Sequence, residues 1–189
     1  ESNNFISYKN SADPYSIGGN QIAAIFEDKL GYLWIGTRDG GLNQFDPLTN
    51  RFKRFRYNPK NPNSLSEDYA WAVYGNSEGM IWIGTSSLGL NLFDTKTETF
   101  TCYRKVFNDP KSIGDDAVCT ILVDHTGIAW FGTWSGGINK YDNEKEKFIT
   151  YSHLPGNPNS LGSNSVYAIY KDRNNELWVG TDVGGLTRI

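Results

Sequence analysis

Four tetrapeptides of one pattern recur in this chain at a fixed step: Trp34-Ile35-Gly36-Thr37, Trp82-Ile83-Gly84-Thr85, Trp130-Phe131-Gly132-Thr133 and Trp178-Val179-Gly180-Thr181. Successive landmarks lie 48 residues apart, with no insertion between them. A period of that length constrains the fold more than any local propensity, because each repeat must be one supersecondary unit that buries itself against its neighbours. Other columns keep the same step. Gly41, Gly89, Gly137 and Gly185 follow the Thr, an aromatic-Asp pair comes next (Phe45-Asp46, Phe93-Asp94, Tyr141-Asp142), then Phe52, Phe100 and Phe148. Pro62, Pro110 and Pro158 precede Ser64-Leu65, Ser112-Ile113 and Ser160-Leu161, and Phe5…Tyr8…Pro14…Ser16-Ile17 carries the same signature at the N-terminus.

One unit reads as four short strands, Gln21–Glu27, Tyr32–Thr37, Gly41–Asp46 and Arg51–Arg56, here called a to d. Each is an apolar or aromatic run bounded by Gly, Asn, Asp or Pro. The a–b turn is Asp28-Lys29-Leu30-Gly31, with Asn76…Gly79 and Asp124…Gly127 as counterparts and Asn175 in place of the glycine in the fourth unit. The 27 aromatics and 20 glycines of this 189-residue chain fit many tight turns and no helices. Four antiparallel strands per 48 residues predict an all-β fold, a β-propeller of four four-stranded blades. The expected blades are 20–57, 68–104, 116–152 and 164–189 within a single domain or segment, 1–189. The fourth unit stops after strand c, so the segment Asn4–Lys9 is expected to complete the last blade, within one chain, between chains or in a larger ring. That pairing would remove an exposed edge.

These residues resemble the two-component regulator propeller repeat, whose typical unit reads V-x-x-I-x-x-D-x-x-G-x-L-W-I-G-T-x-x-G-G-L. Val166…Ile169…Asp172…Leu177-Trp178-Val179-Gly180-Thr181…Gly184-Gly185-Leu186 carry it, and the other three units match about as well. The resemblance implies the periplasmic sensor region of a hybrid sensor histidine kinase of Bacteroides-type bacteria, with oligosaccharides as ligands and the kinase chemistry in other domains. It implies further propeller blades as neighbours. It implies no enzyme in this segment itself.

The remaining chemistry is sparse. A net charge of −3 argues against a nucleic-acid partner. No apolar run reaches the ~18 residues of a membrane span, so no direct membrane contact is expected. His125 and His153 stand in different repeat columns with no acidic cluster beside them, and neither a metal site nor a cofactor is expected. Cys102 and Cys119 fall in outer and inner strands, too far apart for a disulfide. A propeller lyase or hydrolase would have to draw on Asp39, Asp68, Asp115, Asp116 and Asp182, for which the sequence offers no partners.

Divergence between units is the functional signal that a repeated sequence offers. After each Thr the pairs are Arg38-Asp39, Ser86-Ser87, Trp134-Ser135 and Asp182-Val183; one column inside strand a reads Ala23, Trp71, Cys119, Tyr167. In an up-and-down meander the b–c and d–a loops emerge at one end, and strand a lines the axis. The candidate ligand-binding set is therefore Arg38, Asp39, Tyr69, Trp71, Trp134, Tyr167 and Asp182, gathered round one mouth and suited to stacking on a sugar. The rival expectation is a structural or oligomerising scaffold, joined to a second copy or to further blades, with ligand bound elsewhere.

Overall fold

The computed structural model describes residues 4–75 and 79–189; Asn76, expected in the second a–b turn, lies outside them. Fifteen strands form four antiparallel meanders, each with neighbours in sequence paired in space. Blade 1 is β1 (Ile22–Glu27), β2 (Leu33–Thr37), β3 (Leu42–Asp46) and β4 (Arg51–Phe55). Blade 2 is β5 (Ala70–Gly75), β6 (Met80–Thr85), β7 (Leu90–Asp94) and β8 (Thr99–Tyr103). Blade 3 is β9 (Val118–Val123), β10 (Ala129–Thr133), β11 (Ile138–Asp142) and β12 (Lys147–Tyr151). Blade 4 has three strands, β13 (Val166–Lys171), β14 (Leu177–Thr181) and β15 (Gly185–Arg188).

The a–b turns follow from their chemistry. Asp28 Oδ1 accepts from the amides of Leu30 and Tyr32 (2.9 and 3.1 Å), and Asp172 and Asp124 do the same in their turns. The fourth turn position is left-handed throughout, φ 83° at Gly31 and 66° at Asn175, which Asn tolerates. Past each Trp-x-Gly-Thr, the threonine hydroxyl ties the b–c turn: Thr37 Oγ1 donates to Gly41 O and accepts from Gly40 N.

Blades bury one another's flanks. Trp34, Leu42, Phe93 and Phe100 share a core between blades 1 and 2; Trp82, Phe131, Tyr141 and Phe148 do so between blades 2 and 3; Ile138, Val166, Leu177 and Val179 between blades 3 and 4. The strand-b glycine lets the next sheet approach, since a Cβ on Gly36 would lie 2.7 Å from Ala70 O and one on Gly132 2.6 Å from Val166 Cγ1. The series stops at blade 4. A Cβ on Gly180 would meet only Ala168 of its own blade, and no core cluster among the described residues joins blade 4 to blade 1. The four blades form an arc with two open flanks.

This corrects the expected completion of the last blade within one chain. Residues 4–10 are not strand, and the sheet of β13–β15 has no fourth member among the described residues. The N-terminal segment instead lies on blade 1: Tyr8 packs against Phe45 and Phe52, and its hydroxyl donates to Asn50 Oδ1 (2.5 Å). Those contacts seat one ring, still 42% exposed, without a partner strand alongside, so the aromatic seat decides where the segment rests.

Candidate functional site

The first strand of every blade carries a β-bulge. In β1 the pairing with β2 jumps from Ile22 to Ala24, in β5 from Ala70 to Ala72, in β9 from Val118 to Thr120 and in β13 from Val166 to Ala168. The skipped residues are Ala23, Trp71, Cys119 and Tyr167, the strand-a column in which the four units disagree. A bulge re-aims a side chain and is enriched beside functional sites. In blades 1, 3 and 4 the b–c loop closes the bulge: Arg38 N donates to Gln21 O, Trp134 N to Ala117 O and Asp182 N to Ser165 O, all at 2.9 Å. The column after Thr is thus anchored next to the bulge, and the two columns share one rim.

Their side chains alternate in size. Blades 1 and 3 pair a small bulge residue (Ala23, Cys119) with a large loop residue (Arg38, Trp134). Blades 2 and 4 pair a large bulge residue (Trp71, Tyr167) with a short one (Ser86, Asp182). The large groups meet in an unbroken ladder. The Arg38 guanidinium lies 5.7 Å from the Tyr69 ring centre, Tyr69 is 5.8 Å from Trp71, Trp71 is 5.8 Å from Trp134, and Trp134 is 5.6 Å from Tyr167. Trp134 is 48% exposed and Tyr167 44%, so the ladder presents apolar faces to solvent. Five of the seven candidate residues come together in this way.

Asp39 and Asp182 stand apart from the ladder. The Asp39 carboxylate folds over Gly19, and its carbonyl accepts from Arg56 Nη2 (3.0 Å). Asp182 sits exposed at the b–c turn of blade 4. Other carboxylates of the same mouth serve the fold. Glu67 accepts from the Ser86 hydroxyl and Ser87 amide, and Asp115 from the Ser135 amide and hydroxyl (both 2.7 Å). Asp68 and Asp116 accept from the amides of Tyr57 and Lys105 (both 2.7 Å), closing the d–a loops, as Asn164 does for His153 N.

A further column escaped the sequence reading. Asn43, Asn91 and Asn139 are wholly buried, and each Oδ1 accepts from the backbone of the loop entering its own blade, at Gly18, Ser66 and Gly114. The signal was present as a polar residue repeated between apolar ones at Leu42-Asn43, Leu90-Asn91 and Ile138-Asn139. His153 Nδ1 donates to Leu161 O (2.6 Å), and among the described residues no group of three or more His, Cys, Asp or Glu gathers as metal ligands would. Both cysteines are free thiols, and burial pushes the Cys119 thiol up to about 12, with Asp115 adding to the shift. At neutral pH it is a protonated, small apolar rung of the rim.

The model of the two component regulator propeller family matches residues 16–39 and 160–183. Histidine kinase P4 of Formosa agariphila is 39% identical over 61 residues, 32% of this chain and 4% of that protein. The extracellular domain of a hybrid two component system of B. thetaiotaomicron superposes with a TM-score of 0.78 at 28% identity, over 90% of this chain and 23% of its own. A streptogramin B lyase superposes with a TM-score of 0.64 at 18% identity, over 96% of this chain and 57% of its own, a likeness of fold. The chain thus spans about a quarter of the extracellular domain that it resembles. The matched segments run through strands a and b of blades 1 and 4, and blades 2 and 3 keep the same columns at the same step.

Proposed function

We propose that this chain is a ligand-sensing segment of the periplasmic region of a hybrid two-component sensor histidine kinase, and that the rim ladder is its oligosaccharide-binding surface. The observation that carries this reading is the continuity of Arg38, Tyr69, Trp71, Trp134 and Tyr167 across all four blades. Aromatic faces stack on the apolar C–H face of a pyranose, and a row of them accepts successive sugar units. Arg38 at one end suits a uronate or sulfate, which a guanidinium meets bidentately. The resemblance to an extracellular sensor domain supports the signalling role and the compartment.

Binding without turnover is the better fit to the mouth. Glu67, Asp68, Asp115 and Asp116 are all engaged with backbone or serine donors, whereas general acid–base work needs a carboxylate within reach of the substrate proton. Isothermal titration against a panel of neutral and acidic oligosaccharides tests the reading. Trp71→Ala and Trp134→Ala should each weaken binding about tenfold or more, roughly 1.4 kcal/mol, with the melting temperature little changed. Unchanged affinity in both variants, or cleavage of the sugar during the titration, would defeat it.

A further inference from the structure

The rim sorts charge as well as shape. In the two columns that vary between units, Arg38, Ser86, Trp134, Asp182 and Ala23, Trp71, Cys119, Tyr167, Arg38 is the one cation. Its side chain is exposed and rests on the Tyr69 ring. Among the described residues it pairs with no carboxylate and makes no side-chain hydrogen bond. Arg54 and Arg56 differ: Arg54 donates to Ser16 O and Asp13 O (both 2.7 Å), and Arg56 pairs with Asp68 at 3.0 Å. A guanidinium laid on a ring keeps its N–H fork, which lies in its own plane, for a planar anion.

Blades 2 and 3 carry the opposite sign beside their rungs. In blade 2, whose rung is Trp71, Glu67 accepts from the Ser86 hydroxyl and the Ser87 amide. In blade 3, Asp115 accepts from the amide and hydroxyl of Ser135, the residue after Trp134. Both carboxylates are half-buried, so salt screens them less than it would a surface charge. Blade 1 exchanges the pair. Gly19 stands in the column of Glu67 and Asp115, and the acid comes from the b–c loop as Asp39, which folds over Gly19 and leaves Arg38 unpaired. The ladder therefore has an uncompensated positive donor at blade 1 and fixed negative charge along blades 2 and 3.

Building on the rim as a sugar-binding surface, we infer that it selects an oligosaccharide with a single acidic unit, whose carboxylate or sulfate sits on Arg38 while neutral units stack on Trp71 and Trp134. An anion at Arg38 gains a bidentate, charge-assisted pair. The same anion placed on Trp71 or Trp134 meets Glu67 or Asp115, and like charges repel. A neutral chain forgoes the first effect and escapes the second, whereas a chain charged at every unit cannot escape it. Selectivity thus comes from a repulsive element as well as an attractive one.

Isothermal titration with matched tetrasaccharides of a β-1,4-glucan and a β-1,4-galactan tests the pattern. The arms are the neutral chain, chains with one C6 carboxylate or one 6-sulfate on a terminal unit, and the chain oxidised at C6 of every unit. On whichever backbone binds, the better of the two singly acidic chains should bind roughly tenfold tighter than the neutral one, and at least about tenfold tighter than the fully oxidised one. Arg38→Gln should cut the preference over the neutral chain to about twofold or less, and Arg38→Lys should restore part of it, since an ammonium supplies charge without the fork. Glu67→Gln combined with Asp115→Asn keeps acceptor oxygens for Ser86, Ser87 and Ser135, so the fold is retained. That variant should bind the fully oxidised chain about tenfold tighter than the parent does. Equal affinity of the parent for neutral and singly acidic chains, a fully oxidised chain bound as tightly as a singly acidic one, or no gain in the Glu67→Gln/Asp115→Asn variant would overturn the charge pattern. If Trp71→Ala still weakens binding in those cases, the sugar surface itself stands. If no tetrasaccharide binds, or Trp71→Ala and Trp134→Ala both leave affinity unchanged, the sugar surface falls and the charge pattern with it.

Discussion

In blades 1 and 4 the strand-b indole donates to the aspartate of the a–b turn, Trp34 Nε1 to Asp28 Oδ2 (2.8 Å) and Trp178 Nε1 to Asp172 Oδ2 (3.0 Å). Blade 3 breaks the rule. Asp124 Oδ2 takes Lys171 Nζ of blade 4 instead (2.6 Å), and Trp130 Nε1 is buried without a partner. Burial works to raise the Asp124 carboxyl, but the hydrogen bonds from Lys171 and Thr126 outweigh it and hold the group well below the carboxylate range. A depressed carboxylate stabilises the fold above its unfolded value near 3.9, and that contribution is lost as pH falls through the folded value. Removing one partner of a buried pair ordinarily costs roughly 3–5 kcal/mol. Lys171→Met should cost only about 1 kcal/mol at pH 7, because Trp130 Nε1 is the donor that this column uses elsewhere and can take over Oδ2. Denaturant unfolding at pH 7 and pH 3 checks both points: the gap between variant and parent should shrink at the lower pH. A loss near 3 kcal/mol would mean that the indole does not reach. The sequence shows Asp124 and Trp130 in their usual columns and Lys171 in a column that reads Glu27, Gly75, Val123 elsewhere. That the lysine captures the aspartate was not legible, because a contact between adjacent blades depends on side-chain reach rather than on spacing.

At the scale of strands, the repeat spelled out nearly everything: each observed strand falls within a residue or two of its expected range, since Gly, Asn, Asp and Pro punctuate the runs. Five of the seven residues expected at the mouth do meet in one ladder, because columns that differ between blades are free of the shared packing duty; Asp39 and Asp182 stand apart from it. What was not legible is the bulge that turns Trp71 and Tyr167 onto the rim, for an extra residue in one strand leaves no mark on the hydrophobic pattern. The same limit applies to Trp178, which occupies the column of the buried Trp34 and Trp82 yet is only partly buried, with no following blade to cover it. The strand-b glycine makes that dependence measurable. Gly36→Ala would place a Cβ 2.7 Å from Ala70 O and should destabilise by about 1–3 kcal/mol, as overpacking does. Gly180→Ala, chemically the same change, should stay within about 0.5 kcal/mol, because its Cβ would meet only Ala168 at 3.4 Å. Thermal unfolding of the two variants against the parent decides the matter; equal losses would mean that the blade 4 flank is as crowded as the others.

For the molecule as a whole, the core clusters among the described residues join only successive blades, so stability is shared along the arc as in other repeat proteins rather than vested in one core. Blades 2 and 3 are packed on both flanks, and blades 1 and 4 on one each. The apolar side chains of β13 show the consequence: Tyr170 is 65% exposed, whereas on β9 the side chains are buried or half-buried. Local opening should therefore start at the ends, where few apolar contacts resist it. Amide hydrogen exchange is expected to be slowest in β6, β7, β10 and β11 and at least about tenfold faster in β13–β15. A ligand on the rim should slow exchange in all four bulges together, since the ladder crosses every blade. Uniform exchange across the four blades would show that the arc unfolds as one unit, and the account of it as a chain of nearest-neighbour interfaces would have to be given up.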